Sequence, residues 1–260
     1  MVRVSPILIY KHIKKDPQLK TSFHLLENDD VVQSFLKMTN VMTVKRLNYN
    51  DHGITHSKIT SGSALEILDI LIERGITSSV VEDKLGSMDD AKQIVLFGAY
   101  LHDVGNAIHR SMHHLNGCII ANPILDRLLP KIYSNTKKLI TIKDEILHSI
   151  FSHDESVQSL TKESGIISVA DGTDMAEGRA RMPYKAGKVD IHSISALSIK
   201  SVEISRGDEG EKPVQINVNM GNPAGVFQIE EVLNKKIATS GIQEFIKVVA
   251  LQDEREVKGY

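Results

Sequence analysis

A chain of 260 residues with 41% apolar and 25% charged content can build one large domain, or one domain with a substantial appendage. Its net charge of -2 gives no electrostatic case for nucleic acid or a membrane surface as a main partner, although a local basic patch can still hold a small anion. The single cysteine, Cys118, excludes a disulfide framework and points to a reducing compartment. With too short an apolar run at the start for a secretory signal, and none of membrane-spanning length, a cytoplasmic location is expected.

Residues 1–28 read as an N-terminal arm with one or two short helices and a solvated basic face at Lys11, Lys14, Lys15 and Lys20. A helix follows from Asp29 through Val32, Phe35 and Leu36, capped by Asn28 or Asp29. Arg46 to Gly53, rich in turn formers, reads as a loop. Thr55 to Glu73 is the clearest amphipathic helix, with Ala64, Ile67, Leu68, Leu71 and Ile72 on one face and Gly75 beyond its end. His56 lies in its first turn, facing inward with that stripe.

The run Ile94 to Leu101 is apolar on every side, so it reads as a buried helix, started by the S-x-x-D signal of Ser87 and Asp90. It delivers His102 and Asp103 side by side at its inner end, where a charge is costly unless paired or bound to a metal. A turn carrying Asn106, His109 and Arg110 leads to a helix over Ser111–Ala121 with His113 and His114, which Pro123 is expected to stop. Residues 123–138 give a short helix and a loop. Thr141 to Asp154 is the next helix. At about 100° per residue, His153 falls roughly 20° from the buried Ile146, whereas His148 comes out about 200° away.

A further helix over 163–181 buries Ile166, Ile167, Val169 and Ala170 and presents Asp171, with Asp174 three residues on. Character changes near Pro183. Ile194–Ile204 reads as helix passing into strand, Val214–Met220 alternates as a half-buried strand, Phe227–Ala238 is a helix and Glu244–Leu251 a strand. The organisation is therefore an N-terminal arm (1–28), an all-helical domain (29–182) and a small α+β segment (183–260). There is no internal repeat.

Eight of the eleven histidines lie between His52 and His153. The inward-facing set is His56, His102-Asp103, His113 or His114, His153 and Asp171, ordered over five helices with no strand between. Imidazole nitrogen and carboxylate oxygen are ordinary ligands for a divalent cation. That order resembles the HD-domain superfamily of metal-dependent phosphohydrolases over roughly residues 40–180. His56-Ser57 looks like the first family histidine, Leu101-His102-Asp103-Val104-Gly105 like the signature doublet, and Val169-Ala170-Asp171 like the last aspartate.

The resemblance implies a mostly α, HD-type helical bundle. It implies His56, His102, Asp103 and Asp171 as ligands of a first divalent metal, with His113 and His153 added where two metals are held and Asp103 bridging. One or two ions per chain are expected, from manganese, iron, zinc, cobalt or nickel. Asp103 and His102 would carry the chemistry, hydrolysis of a phosphomonoester or phosphodiester in a nucleotide or other small phosphorylated metabolite. Arg179, Arg181 and Lys185, in the basic run after Asp171, are expected at the substrate phosphate, with Asn106 beside them. Arg110 and His192 are weaker candidates, and His109 and His114 supporting or surface residues. Asn106 stands where several branches of the family have lysine. The Gly-Tyr-Pro loop of the cyclic-dinucleotide branch is absent after His153-Asp154, which disfavours that substrate. The alternative is a catalytically silent HD-like protein that binds a metal or nucleotide, with the α+β tail as its working part. A two-fold homodimer is the default for an oligomer.

Overall fold

The computed structural model describes residues 1–176, 191–253 and 255–260. The helical body comprises α1 (Ile9–Ile13), α2 (Pro17–Glu27), α3 (Asp30–Asn40), α4 (Ile54–Glu73), α5 (Ser79–Glu82), α6 (Met88–Leu101), α7 (His113–Leu128), α8 (Thr136–Ser152) and α9 (Lys162–Thr173). The remainder holds α10 (Ile191–Leu197), the helical segment α11 (226–239) and a sheet of β1 (Val2–Arg3), β2 (Ile199–Arg206), β3 (Val214–Met220), β4 (Ile246–Gln252) and β5 (Arg255–Gly259). Among the described residues no helix is long and apolar enough to cross a membrane.

The most apolar stretch of the chain becomes the centre of the bundle. Every residue of α6 from Ile94 to Leu101 is buried. Its start is a reciprocal capping box: Ser87 Oγ accepts from the Asp90 amide, and the Asp90 carboxylate accepts from the Ser87 amide at 2.6 Å. α4, α8 and α9 pack around it. Gly98 makes that packing close, because a Cβ there would meet Ile167 Cδ1 at 2.6 Å. Asp29 caps α3 through the amides of Val31 and Val32, as its sequence signal predicts.

The N-terminal arm has its two short helices, and they join the core: Ile9, Leu26 and Phe23 are buried against α4 and α6. The arm also begins with β1, which pairs antiparallel to β2, Val2 opposite Ile204. β2 and β3 are antiparallel, β3 and β4 parallel, β4 and β5 antiparallel. A parallel neighbour needs a crossover connection, and α11 supplies it between β3 and β4. The sheet lies against the far part of α4.

Several boundaries differ from the sequence reading. Pro123 lies inside α7, which runs on to Leu128. The carbonyl that loses its amide partner is that of Ile119, four residues back, a residue on the exposed face of the helix. α8 starts five residues before the expected Thr141, because Asn135 caps it on the Lys138 amide. α9 ends at Thr173 rather than 181. α11 is broken in the middle by a π-helical turn, Ile229–Leu233.

Candidate metal centre

Five helix ends converge on one point. His56 stands in the first turn of α4, His102 at the C-terminus of α6 with Asp103 after it, His113 at the first position of α7, His153 at the C-terminus of α8, and Asp171 in the last turn of α9. Three of these are carbonyl ends, where the helix dipole favours a cation. All but Asp171 are nearly sealed, and Asp171 is partly exposed.

Asp103 divides the site into two nests. Its Oδ2 lies 3.4 Å from Nε2 of both His56 and His102, and Asp171 Oδ1 closes this side at 3.0 Å from His56 Nε2 and 3.7 Å from His102 Nε2. Its Oδ1 faces the other side, 3.5 Å from His113 Nε2 and 3.8 Å from His153 Nε2. Every sequence-expected ligand is thus brought together around one carboxylate.

The donor set fits a divalent ion on a specific observation. His102 and His153 donate from Nδ1 to the carbonyls of Ala99 (2.8 Å) and Ile150 (2.6 Å), and His56 Nδ1 donates to Asp174 Oδ2 at 2.7 Å. A neutral ring donating from Nδ1 keeps its lone pair on Nε2, the arrangement of a metal-ligating histidine with its orienting partner. Yet Nε2 of His56 and of His102 face each other at 3.1 Å, and those of His113 and His153 at 3.0 Å. Lone pairs so close repel unless a cation or proton lies between them. The groups around the centre respond accordingly. Burial works against charge on His102, but Asp103 and Asp171 hold its pKa above the ordinary value. Burial and the neighbouring His153 push His113 down to about 2, and burial lowers His153, so that nest is neutral and able to ligate. Burial is outweighed for both carboxylates: His102 and His52 hold Asp103 well below the usual range, and Lys236 with His102 does the same for Asp171.

Asn106 is not at a substrate surface. It is fully buried and donates from Nδ2 to Asp103 Oδ1 (2.7 Å) and to the Asp103 carbonyl (3.1 Å), holding the carboxylate in place. The family branches with lysine there have a cation; here an amide makes two hydrogen bonds to one residue. Arg110, a weaker candidate, does reach the centre: its Nη1 lies 3.3 Å from His113 Nε2 and 3.9 Å from Asp103 Oδ1, and it is partly exposed. Arg179, Arg181, Lys185 and the His192 side chain lie outside the described residues. His109 is exposed and accepts from the Ser111 amide, while His148 accepts from the Leu160 amide, away from the centre. His114 lies 3.8 Å from Asp154 and packs edge-on against the rings of His113 and Phe151.

Three residues of the centre were not singled out in sequence. His52 places Nδ1 2.7 Å from Asp103 Oδ2. Its loop is clamped by Asn40, which accepts from the His52 amide and donates to Asp51 (both 3.0 Å), and Gly53 lets the loop lie against Asn40. The signal was available in the turn-forming Asn-Asp-His-Gly run four residues before His56. Asp174, three residues beyond Asp171, accepts from His56 Nδ1 at 2.7 Å. Lys236 reaches Asp171 Oδ2 at 2.7 Å from α11, and no local pattern announces it.

The comparisons agree with this geometry. The HD domain family model matches residues 54–176. The chain is 50% identical over 219 residues, 84% of its length, to uncharacterized protein MJ1020 of Methanocaldococcus jannaschii, covering 83% of that protein. With its histidine and aspartate ligand types gathered at five helix ends, the chain belongs to the HD-domain family.

Proposed function

We propose that this protein is a divalent-metal-dependent phosphohydrolase acting on a phosphomonoester or phosphodiester of a small metabolite such as a nucleotide. The observation that carries the reading is the split use of Asp103, whose two oxygens each face a separate pair of histidine nitrogens. His56, His102, Asp103 and Asp171 would hold one ion, and His113 and His153, with Asp103 shared, a second. A divalent ion held there acidifies a water and offsets the charge that develops on phosphoryl oxygens.

The chain's own residues do the rest. Asn106 fixes the Asp103 carboxylate so that each oxygen keeps its side, and Asp174 and the Ala99 and Ile150 carbonyls fix the ring orientations. Arg110, partly exposed beside the His113 nest, supplies a planar fork of donors for substrate phosphate oxygens. His52, Arg110 and Asp171 are the less buried members of the centre.

The test is metal content by elemental analysis for wild type and Asp103→Ala, followed by release of phosphate or nitrophenol from p-nitrophenyl phosphate, bis(p-nitrophenyl) phosphate and a nucleotide panel. The reading expects about one to two equivalents of metal in wild type, little in the variant, and metal-dependent turnover abolished by the substitution. Metal without turnover across the whole panel would favour a silent binding protein. An iron requirement with oxygen consumption would favour an oxygenase.

A further inference from the structure

α11 belongs to the C-terminal segment, beyond the residues that the family model matches, yet one of its side chains ends inside the metal centre. Lys236 is buried, and its Nζ lies 2.7 Å from Asp171 Oδ2, 2.9 Å from the His153 carbonyl oxygen and 3.8 Å from Glu155 Oε2. A buried ammonium is expensive unless it is paired and hydrogen-bonded, and these three oxygens provide for it. Its neighbour Lys235 points outward and pairs with Glu231 one turn back, so the two lysines have opposite tasks.

The route of the side chain is prepared by the helix it crosses. Gly172, immediately after Asp171, has no side chain to obstruct it: a Cβ there would meet Lys236 Cδ at 3.3 Å and Leu233 Cδ1 at 3.0 Å. About two turns back along α9 on the same face, Gly165 admits the Ser240 carbonyl so closely that a Cβ would overlap it. The Ser159 amide donates to the Thr239 carbonyl at 2.9 Å and fastens the end of α11 to the loop between α8 and α9. The π-helical turn Ile229–Leu233, an insertion of the kind often found next to functional sites, precedes Lys236 by less than one turn. The ammonium is therefore held from three directions and is not a long side chain resting where it happens to reach.

The consequence falls on Asp171. Its two oxygens are committed to opposite sides: Oδ1 faces Nε2 of His56 at 3.0 Å and of His102 at 3.7 Å, whereas Oδ2 accepts from Lys236. An ammonium on one carboxylate oxygen engages one of its lone pairs, neutralises part of its charge and turns it away from the histidine side, so the other oxygen is the better ligand. We propose that Lys236 is a positioning residue that restricts Asp171 to ligation through Oδ1 alone, making the C-terminal segment an integral part of the metal centre. The inference rests on the metal-binding reading above. It gives the α+β segment a task at the centre: by holding Oδ2 of Asp171, Lys236 would leave the first ion one carboxylate oxygen fewer to bind.

The experiment uses Co2+ as the probe, titrated into the full-length, chelator-treated protein and read by visible absorption and by competition for affinity. Wild type, Lys236→Met, Lys236→Gln and Asp103→Ala are compared. Freed from the ammonium, Asp171 would add its second oxygen, so Lys236→Met should show weaker visible bands at shorter wavelength, as coordination number rises. It should also bind Co2+ about tenfold or more tightly, because a nearby positive charge has gone. Lys236→Gln keeps a donor without the charge and should show the tighter binding with a smaller spectral change. A simple packing role would leave the cobalt spectrum unchanged.

A wild-type spectrum and affinity in folded Lys236→Met would overturn the inference while leaving the metal reading in place. So would failure of both Lys236 variants to fold even with Co2+ present, which would make Lys236 a packing element only. Absence of Co2+ uptake in wild type, or equal uptake in Asp103→Ala, would remove the metal reading and the inference with it.

Discussion

Nδ1 of His52 lies 2.7 Å from Oδ2 of Asp103, the same oxygen that lies 3.4 Å from the Nε2 atoms of His56 and His102. A histidine outside the helical bundle thus holds the central carboxylate from its solvent side, opposite the buried hold of Asn106 on Oδ1. Partners that orient a metal ligand without being ligands themselves usually cost about 10–100-fold in metal affinity when removed. His52→Ala should accordingly lower metal affinity by about that factor while leaving the number of ions bound at saturation unchanged. His56→Ala, by contrast, should lower the number itself. Equilibrium dialysis with elemental analysis separates the two, and a lost equivalent in His52→Ala would make His52 a direct ligand.

Removing metal should destabilise the fold. Without a cation, two pairs of histidine nitrogens, 3.1 Å and 3.0 Å apart, are left facing one another beside Asp103 and Asp171. A ligand at 100–1,000 times its dissociation constant adds about 3–4 kcal/mol to stability, which for a chain of this size corresponds to a Tm lower by about 5–15 °C after chelation. Differential scanning calorimetry with and without chelator reads it. An unchanged Tm after verified metal loss would place the ion at the surface.

Gly105 follows Asp103 by two residues and carries a packing duty. A Cβ at this position would overlap the His113 carbonyl oxygen and the Gly117 amide nitrogen, both backbone atoms of α7 that cannot swing aside. Gly105→Ala should therefore cost about 3 kcal/mol or more and push α7, with His113, away from Asp103. The chemistry-specific part of the expectation is selective: the His113–His153 nest should lose its ion before the His56–His102 nest does. Melting curves together with metal stoichiometry check both halves, and loss of both ions together would mean that the helix shift is not local.

The legible part of this architecture is local in sequence. The all-round apolar run gave α6 its burial, Ser87 and Asp90 its start, and the helical phase of His153 its inward direction, since each depends on neighbours within a few residues. What the sequence left open depends on distant partners. Pro123 reads as a stop by local rules, but tertiary packing of α7 on α8 overrides it. β1 is two residues long and becomes a strand only because β2, some two hundred positions on, offers its edge. His52 sits in a segment whose turn chemistry was recognised but whose aim is set by Asn40. Lys236 is one lysine among many until α11 is docked across Gly172.

A last prediction concerns a pH-sensitive cluster remote from the metal centre, where α1 meets α4. The His12 ring is buried between Asp69 Oδ2 (3.0 Å from Nδ1) and Glu66 Oε2 (3.2 Å from Nε2), and Lys11 Nζ lies 2.5 Å from the same Glu66 oxygen. Burial opposes a charge on His12, but the hydrogen bonds and charges of Asp69 and Glu66 outweigh it and raise its pKa above 6.5. For Glu66 burial is likewise outweighed, by His12 and Lys11, and its pKa falls from 4.5 to about 2. The signs differ. A raised histidine pKa means that the folded protein binds the proton more tightly, so His12 contributes fully below pH 6.5 and its contribution is lost as pH rises through the folded value. A lowered carboxylate pKa contributes fully above pH 4.5 and is lost as pH falls towards 2. The cluster therefore ties the N-terminal arm to the body most strongly between pH 4.5 and 6.5. His12→Gln should remove the alkaline limb of that dependence. Urea midpoints for wild type and variant, taken from about pH 5 to about pH 9 at fixed metal concentration, test this by difference, because the metal centre affects both proteins alike. The wild-type advantage should shrink as pH rises; two parallel curves would show that the His12 proton is not held by the fold.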